Sequence, residues 1–215
     1  MAVRGILAIS DDVSRNPSRP AAMPLPDPAD HEPIQGPRLR LRPVTPADAA
    51  AFARWLSDPE VVAFFGRPPD DSAETPSDEA ASAGLPGWTF VIEDRGRPIG
   101  GIEYFQDRPS APWSAGIDIF VGEPDARDRG LGTEALRTLL RYLFETKGLK
   151  RVTIDPEPSN RRAVRAYEKA GFRVDGVLRR HMRIDGRWAD IAFMSILDDE
   201  WPAAKARWQP PDDSA

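Results

Sequence analysis

Hydrophobic and polar residues alternate along this chain with two different periods, near two in some segments and near 3.6 in others. The alternation over residues 39–44 predicts a first strand, because side chains two positions apart share one face of a strand. Thr45 and Pro46 are residue types that begin helices, and aromatic residues follow them at helical spacing. A second short helix is predicted over Pro59–Phe65, and a long loop over residues 66–87.

Two pairs of hairpin strands and two longer helices are predicted downstream. The further strands are expected at residues 88–93, 99–105, 116–121, 151–155, 177–184 and 188–197. Turns at residues 94–97 and 185–186 join the hairpins, and the amphipathic helices occupy residues 133–146 and 160–170. The resulting order of elements predicts an α/β fold with one mixed sheet, flanked by about four helices, in a single domain.

The two ends of the chain have a different character from its middle. Residues 1–36 are rich in Pro, Ala, Ser and Asp, a composition that buries too little apolar surface to offset the entropy of ordering. We therefore expect a disordered N-terminal tail over residues 1–36, a folded domain over residues 37–201 and a C-terminal tail over residues 202–215.

Composition excludes several kinds of site. The 215 residues include no cysteine and only two histidines, His31 and His181. Thiolate metal sites, disulfides and a cysteine nucleophile are therefore excluded, and neither a multi-histidine metal site nor a conventional Ser-His-Asp hydrolase is expected. We expect no metal.

Charge and hydropathy limit the partners. The net charge of -5 argues against a general nucleic-acid binder, which needs a basic face. An acidic balance suits a cationic ligand, although it also serves solubility alone. No run reaches the roughly 18 apolar residues of a membrane span, so we expect no membrane insertion and a cytoplasmic location.

The most distinctive local feature is the segment of residues 127–133, Arg-Asp-Arg-Gly-Leu-Gly-Thr, between a strand and an amphipathic helix. Glycines allow close backbone approach to a ligand, and the helix start presents unpaired N–H groups and a positive dipole end. Two arginines add charge, so the segment suits a pyrophosphate. Alternatively, Gly130 and Gly132 form only a tight strand–helix connection with Thr133 as N-cap; neither a Rossmann nor a Walker pattern is present.

Residues 120–136 resemble the acetyl-CoA-binding motif of the GNAT N-acetyltransferases, and residues 159–172 are similar to the second cofactor segment of that family. The resemblance covers roughly residues 39–201. It implies a mostly antiparallel sheet that is splayed between its fourth and fifth predicted strands, with acetyl-CoA in the split. The implied cofactor-binding residues are Ile119, Phe120, Val121, Arg127, Arg129, Gly130, Leu131, Gly132, Thr133, Asn160 and Tyr167.

Two residues of the second segment carry expected roles. Asn160 is placed to cap its helix, and the resemblance adds a hydrogen bond to the pantetheine arm. Tyr167 lies seven residues later on the same helical face, where a core position is the alternative to a catalytic one. In similar enzymes a tyrosine here protonates the departing thiolate, a role for which an ordinary pKa near 10 is adequate.

Acetyl transfer to an amine needs a base, such as a carboxylate, that accepts the ammonium proton. Asp118 interrupts an apolar strand at the border of the split, which favours a specific role. Around it the chain resembles the aminoglycoside 6'-N-acetyltransferases, which implies Asp118 as general base and Asp155 as a ligand of a cationic acceptor. Glu103 is a further candidate acid, and Phe64 and Phe65 are at the place of aromatic residues beside the drug.

Other features leave the acceptor open. Residues 106–115 form a shorter connection than those enzymes have, and residues 185–190 look more like ribosomal-protein N-terminal acetyltransferases. The alternatives to an aminoglycoside are therefore a protein N-terminus, a siderophore intermediate, or a non-catalytic acyl-CoA-binding module. Relatives of this kind often dimerise, so a monomer or a homodimer is expected.

Overall fold

The fold was analysed in a computed structural model, which describes residues 32–65, 87–106, 111, 113–184 and 187–208. Within these ranges eight strands form one sheet in the order β1-β2-β3-β4-β5-β6-β8-β7, and only the β5–β6 pair is parallel. The strands are β1 Ile34–Gln35, β2 Leu39–Pro43, β3 Gly87–Asp94, β4 Arg97–Phe105, β5 Ser114–Val121, β6 Arg151–Ile154, β7 Arg173–Ile184 and β8 Arg187–Leu197. The prediction of one mixed, mostly antiparallel sheet is confirmed.

Five α-helices lie in the same described part of the chain, one more than expected. They are α1 Ala49–Trp55, α2 Pro59–Phe65, α3 Leu131–Arg141, α4 Arg161–Ala170 and α5 Trp201–Ala206. A 3₁₀ turn at Pro46–Asp48 precedes α1, and a π-helical turn at Tyr142–Thr146 extends α3. Of the predicted loop over residues 66–87, residues 66–86 lie outside the described residues and Gly87 begins β3. The predicted turn at 185–186 also lies outside them.

The parallel strand pair is joined over a short length only. Ser114, Ala115 and Gly116 of β5 are paired with the first three residues of β6, whereas β5 continues to Val121 with β4 as its partner. The two strands therefore part after Gly116, which confirms the predicted split and leaves one edge of β5 open.

The start of α3 differs from the prediction. The sequence suggested Thr133 as the N-cap, but the helix begins at Leu131 and its N-cap is Gly130, in a left-handed conformation with φ 75°. Glycine adopts this conformation without a Cβ penalty, so the helix can start two residues earlier. Its apolar stripe is fully buried against the sheet, at Leu131, Leu136, Leu139, Leu140 and Leu143.

Both predicted domain boundaries need correction. At the N-terminal side, β1 pairs with β2 although residues 34–35 were expected in the tail. Glu134 of α3 fixes this region, since its fully buried carboxylate accepts hydrogen bonds from the Arg38 and Leu39 amides and from the Arg38 side chain. Residues 1–31 of the expected tail lie outside the described ranges.

At the C-terminal side, α5 continues the fold past the expected end at residue 201. The guanidinium of Arg137, on α3, donates hydrogen bonds to the backbone oxygens of Lys169 and Ala170 at the end of α4. It also donates to those of Ala204 and Lys205 in α5, and it lies over the Trp201 and Trp208 rings. Burial lowers the pKa of Arg137 to about 10, and the side chain remains a cation at neutral pH.

Candidate functional site

A cleft of about 410 Å³ opens where β5 and β6 part. Its floor is the free edge of β5, where Ile119, Phe120 and Val121 line it. On this edge the backbone N–H and C=O groups beyond Gly116 have no sheet partner in β6. They can therefore pair with an extended, amide-bearing chain as a neighbouring strand would.

The start of α3 forms one end of the cleft. Gly130, Leu131, Gly132 and Thr133 all line it, and the first intrahelical bond is donated by the Glu134 amide to the Gly130 oxygen at 3.0 Å. Helix geometry leaves the amides before Glu134 without intrahelical acceptors, and the positive end of the helix dipole lies here. This arrangement fits a pyrophosphate.

Asn160 is the N-cap of α4. Its side-chain oxygen accepts a hydrogen bond from the Ala163 amide at 3.1 Å, which confirms the predicted helix cap. Asn160 also lines the cleft, as does Ala163 in the first turn of α4. The cap and a contact to a ligand are thus compatible in space.

The two arginines of the glycine-rich segment have different surroundings. Arg127 was expected beside the phosphates, but its side chain is only 8% exposed and is bound to Asp58 and Glu60. Its remaining bonds go to the backbone oxygens of Val121 and Gly122. Arg127 lines the cleft, and its donors are engaged with protein groups, so its expected contact to the phosphates stays a prediction. The half-exposed Arg129 is 4.0 Å from Asp94.

Tyr167 lines the cleft and is buried. Burial raises the pKa of its hydroxyl well above the ordinary value, and the charges of Asp118 and Asp155 raise it further. Both carboxylates are therefore within electrostatic range of the phenol, and both line the cleft. The structure thus brings together the residues predicted as base, acid and ammonium ligand.

The remaining predicted acceptor residues line the same cleft. Glu103 is buried on β4, directly opposite Asp118 in the β4–β5 register, and it accepts a hydrogen bond from the Thr89 hydroxyl at 3.2 Å. Phe65 packs edge-on against Phe120 with ring centroids 5.4 Å apart, whereas Phe64 is 38% exposed. A carboxylate-rich end with aromatic walls suits a cation that has apolar faces.

Sequence reasoning missed several contributors. Met182, Ile184 and Ile191 of the β7–β8 hairpin give the cleft an apolar side. Arg187 binds Glu157 through two hydrogen bonds of 2.9 and 2.5 Å and also donates to the Ala63 oxygen. No local pattern could have found these contacts, since they join parts of the chain that are far apart.

A basic face of α4 was also missed, although its spacing was visible. Arg162, Arg165 and Lys169 recur at helical intervals and all line the cleft. The described residues contain no group of acidic and histidine side chains that could hold a metal ion. In the same ranges, no helix has the length and apolar character needed to cross a bilayer.

Comparison with known proteins places this geometry in context. Residues 38–173 match the family described as the acetyltransferase (GNAT) domain. The aminoglycoside N(6')-acetyltransferase type 1 of Klebsiella pneumoniae is 30% identical over 156 residues, which span 65% of this chain and 76% of that protein.

Two solved structures are similar over most of the chain. The aminoglycoside acetyltransferase AAC(6')-Ib in complex with coenzyme A and kanamycin has a TM-score of 0.65 and 25% identity, covering 78% of this chain and 99% of its own. Mycobacterium smegmatis RimJ in complex with CoA-disulfide has a TM-score of 0.67 and 26% identity, covering 81% and 90%. Both complexes contain coenzyme A or its disulfide.

Proposed function

The chain belongs to the GNAT family of N-acetyltransferases, with acetyl-CoA as its acetyl donor, and we propose that its acceptor is an aminoglycoside 6'-amine. More generally, the proposed acceptor is a primary amine on a cationic small molecule. The observation that carries this proposal is that Asp118, Asp155 and Tyr167 all line one cleft, with both carboxylates in electrostatic range of the Tyr167 hydroxyl.

The donor half is proposed to bind acetyl-CoA mainly through backbone groups. The free edge of β5 at residues 119–121 pairs with the pantetheine arm, and the Asn160 side chain adds a hydrogen bond to it. The amides of residues 129–133 bind the pyrophosphate, with Arg129 as the nearby cation. When bound, acetyl-CoA supplies the thioester carbonyl that the amine attacks.

The acid-base chemistry is assigned to two side chains. Asp118 accepts the proton that the ammonium must lose, directly or through a water molecule, so that the free amine can attack. The new C–N bond forms as the C–S bond breaks, and the Tyr167 hydroxyl donates its proton to the departing thiolate. The nitrogen loses its second proton to the Tyr167 phenolate, directly or through a water molecule, and Asp118 releases the first proton to solvent, so that both side chains return to their starting states. A raised pKa keeps the Tyr167 hydroxyl protonated and therefore able to act as the acid. The chain has no cysteine to carry the acyl group, so transfer is direct.

Recognition of a polycationic sugar is assigned to the acceptor half. Asp155 and Glu103 provide negative charge on either side of Asp118, and Phe64 and Phe65 provide faces on which a sugar ring packs. The family relatives named for aminoglycoside acetylation support this choice of substrate class.

Thiol release from acetyl-CoA in the presence of kanamycin tests the proposal directly. We expect turnover with kanamycin and none with an aminoglycoside that carries a hydroxyl group in place of the 6'-amine. Absence of turnover across several aminoglycosides would remove the antibiotic as acceptor and leave the donor assignment intact.

A protein N-terminus is the second candidate acceptor. It is favoured by the likeness to RimJ and by the β8 segment that resembles ribosomal-protein N-terminal acetyltransferases. Turnover of N-terminal peptides of ribosomal proteins, with no turnover of kanamycin, would identify this acceptor instead.

A further inference from the structure

Helix α2 forms a wall of the cleft but is itself short. Glu60, Val61, Phe64 and Phe65 line the cleft from its seven residues. A helix of this length is marginal without tertiary contacts, so the position of the wall depends on what holds α2 in place.

Arg127 is the principal anchor at the start of α2. Its Nη1 donates to Glu60 at 2.6 Å, and its Nη2 donates to Asp58 at 3.0 Å. The other oxygen of Asp58 accepts a hydrogen bond from the Glu60 amide at 2.8 Å, so the arginine binds the residue that caps this helix. This Glu60 amide, followed by the hydrogen bond from Arg127, lowers the pKa of Asp58, which keeps the carboxylate ionised.

The same guanidinium is fixed to the end of β5. Its Nε donates to the Val121 oxygen at 3.0 Å and its Nη2 to the Gly122 oxygen at 2.9 Å. Because Arg127 is only 8% exposed, these charge-assisted bonds are less screened than those of a surface pair. The strand that carries Asp118 is thereby joined to the helix that carries Phe64 and Phe65.

Glu60 continues the connection to the opposite side of the cleft. Its second oxygen pairs with Arg162 of α4 at 2.5 Å, and Glu60 and Arg162 both line the cleft. At its far end α2 is held again, where the Arg187 guanidinium donates to the Ala63 oxygen at 3.3 Å. Arg127 is thus the central member of a network that joins β5, α2 and α4.

We infer that Arg127 is a positioning residue for the acceptor: it sets the place of the α2 wall relative to Asp118. This inference rests on the proposed transfer to an amine but not on the identity of that amine. We assign the expected phosphate contact to Arg129, two residues away, because its guanidinium is the more exposed of the two; of these two arginines, Arg127 is the one that lines the cleft.

Paired substitutions separate the two roles, since Arg127→Met and Arg129→Met remove the same charge from the same segment. We expect Arg127→Met to raise the acceptor KM about 10- to 100-fold, as for a misplaced wall, and to change the Kd of coenzyme A by less than about threefold. Arg129→Met should raise the Kd of coenzyme A and leave the acceptor KM nearly unchanged. The binding of coenzyme A to this variant should also depend less on salt concentration. Arg127→Lys should recover part of the acceptor KM, because one of the carboxylates can still be paired.

Substitution of the carboxylate partners gives an independent test. Asp58→Asn retains an oxygen for the helix cap and Glu60→Gln retains the side-chain length, but both remove the charge that Arg127 binds. If Arg127 positions α2, each variant raises the acceptor KM as Arg127→Met does. If Arg127 binds phosphate, each variant frees its guanidinium and tightens coenzyme A binding.

Hydrogen exchange of the α2 amides can be measured without an amine substrate. It therefore distinguishes failure of this inference from failure of the proposed function. Calorimetry with coenzyme A is likewise independent of the acceptor. We expect the amides of residues 60–65 to exchange faster in Arg127→Met and unchanged in Arg129→Met. Unchanged α2 exchange in Arg127→Met, together with a larger loss of coenzyme A affinity than in Arg129→Met, would overturn the inference.

Discussion

The proposed donor half and the proposed acceptor half of the cleft are constructed in different ways. The donor half consists mainly of backbone groups, at the start of α3 and along the free edge of β5. The acceptor half consists of side chains from β4, β5, α2, the β7–β8 hairpin and the segment after β6. The backbone half therefore depends on local conformation, while the side-chain half depends on contacts between distant elements.

The largest effect is expected where the acceptor half performs chemistry. Asp118→Asn should lower kcat/KM about 10²- to 10⁴-fold, because the amide cannot accept the ammonium proton. The Kd of coenzyme A should stay nearly unchanged, since the donor half does not use this side chain. Asp155→Asn is the matched control and should act mainly on the acceptor KM. A comparable loss of coenzyme A affinity in Asp118→Asn would contradict the division into two halves.

A charge placed at the helix start should break the donor half alone. Gly132→Asp brings a carboxylate beside the amides of α3, so coenzyme A affinity should fall about a hundredfold, equivalent to one or two charged hydrogen bonds. The free energy of unfolding should not fall much, since an acid near a helix start is favourable.

Gly132→Ala is the uncharged control for this substitution. A Cβ at this position would meet Val121 at 3.5 Å, an ordinary contact that the fold tolerates. Isothermal titration with coenzyme A and thermal unfolding of both variants would reveal whether charge or size is responsible. Equal losses of affinity in the two variants would assign the effect to size.

Tyr167 lies where the two halves meet, and Tyr167→Phe should lower kcat about 10- to 100-fold with small changes in both KM values. Burial, followed by the charges of Asp118 and Asp155, raises the pKa of this tyrosine, so kcat should show no alkaline loss from it near pH 10. In the unfolded chain the tyrosine ionises near pH 10 but in the folded protein only at higher pH. Its contribution to stability is thus complete below pH 10 and is lost as the pH rises further.

The pH dependence of Tyr167 can be checked by ultraviolet titration and by unfolding at several pH values. As the pH is raised above 10, the free energy of unfolding should fall further for the wild-type protein than for Tyr167→Phe. The assignment would be refuted by a tyrosine titration near the ordinary pKa in the wild-type protein that is missing in Tyr167→Phe.

The smallest effect concerns the helix cap that also faces the ligand. Asn160→Ala should lower the free energy of unfolding by about 1 kcal/mol through loss of the bond to the Ala163 amide. Coenzyme A affinity should fall only a few-fold. Asn160→Ser restores the cap with a shorter side chain, so it should recover stability without recovering affinity. If Asn160→Ser recovered both the stability and the coenzyme A affinity, the helix cap alone would account for the role of Asn160.

This contrast also explains which parts were predictable from the sequence. Glycines, caps and apolar periodicity are local signals, so the sheet and the cap at Asn160 were accessible from the sequence, whereas the split was predicted from the family resemblance and its position after Gly116 comes from the structure. Asp118 and Asp155 could be predicted because the strands that carry them were predicted and because the surrounding residues resembled a known family.

Contacts between distant segments were not accessible in this way. Arg127 and Arg129 are the same residue type two positions apart, and only the place of α2 makes one a partner of Asp58 and Glu60. The short strand β1 was missed because its order depends on Glu134, which lies almost a hundred residues later. A pattern of residue types cannot report a pairing that is set by tertiary packing.

The buried guanidinium of Arg137 makes the last turns of the chain part of the catalytic scaffold. It links the end of α4, whose first residues face the ligand, to the carbonyl groups of Ala204 and Lys205. Shortening the chain to residue 201 would remove the two acceptors of Arg137 Nη2 and the Trp208 ring beside it, and would leave only the Lys169 and Ala170 oxygens as acceptors for this cation. Affinity tags and fusion partners should therefore be attached beyond Trp208. Truncation at residue 201, the domain boundary predicted from the sequence, would weaken the site although residues 202–208 do not line the cleft.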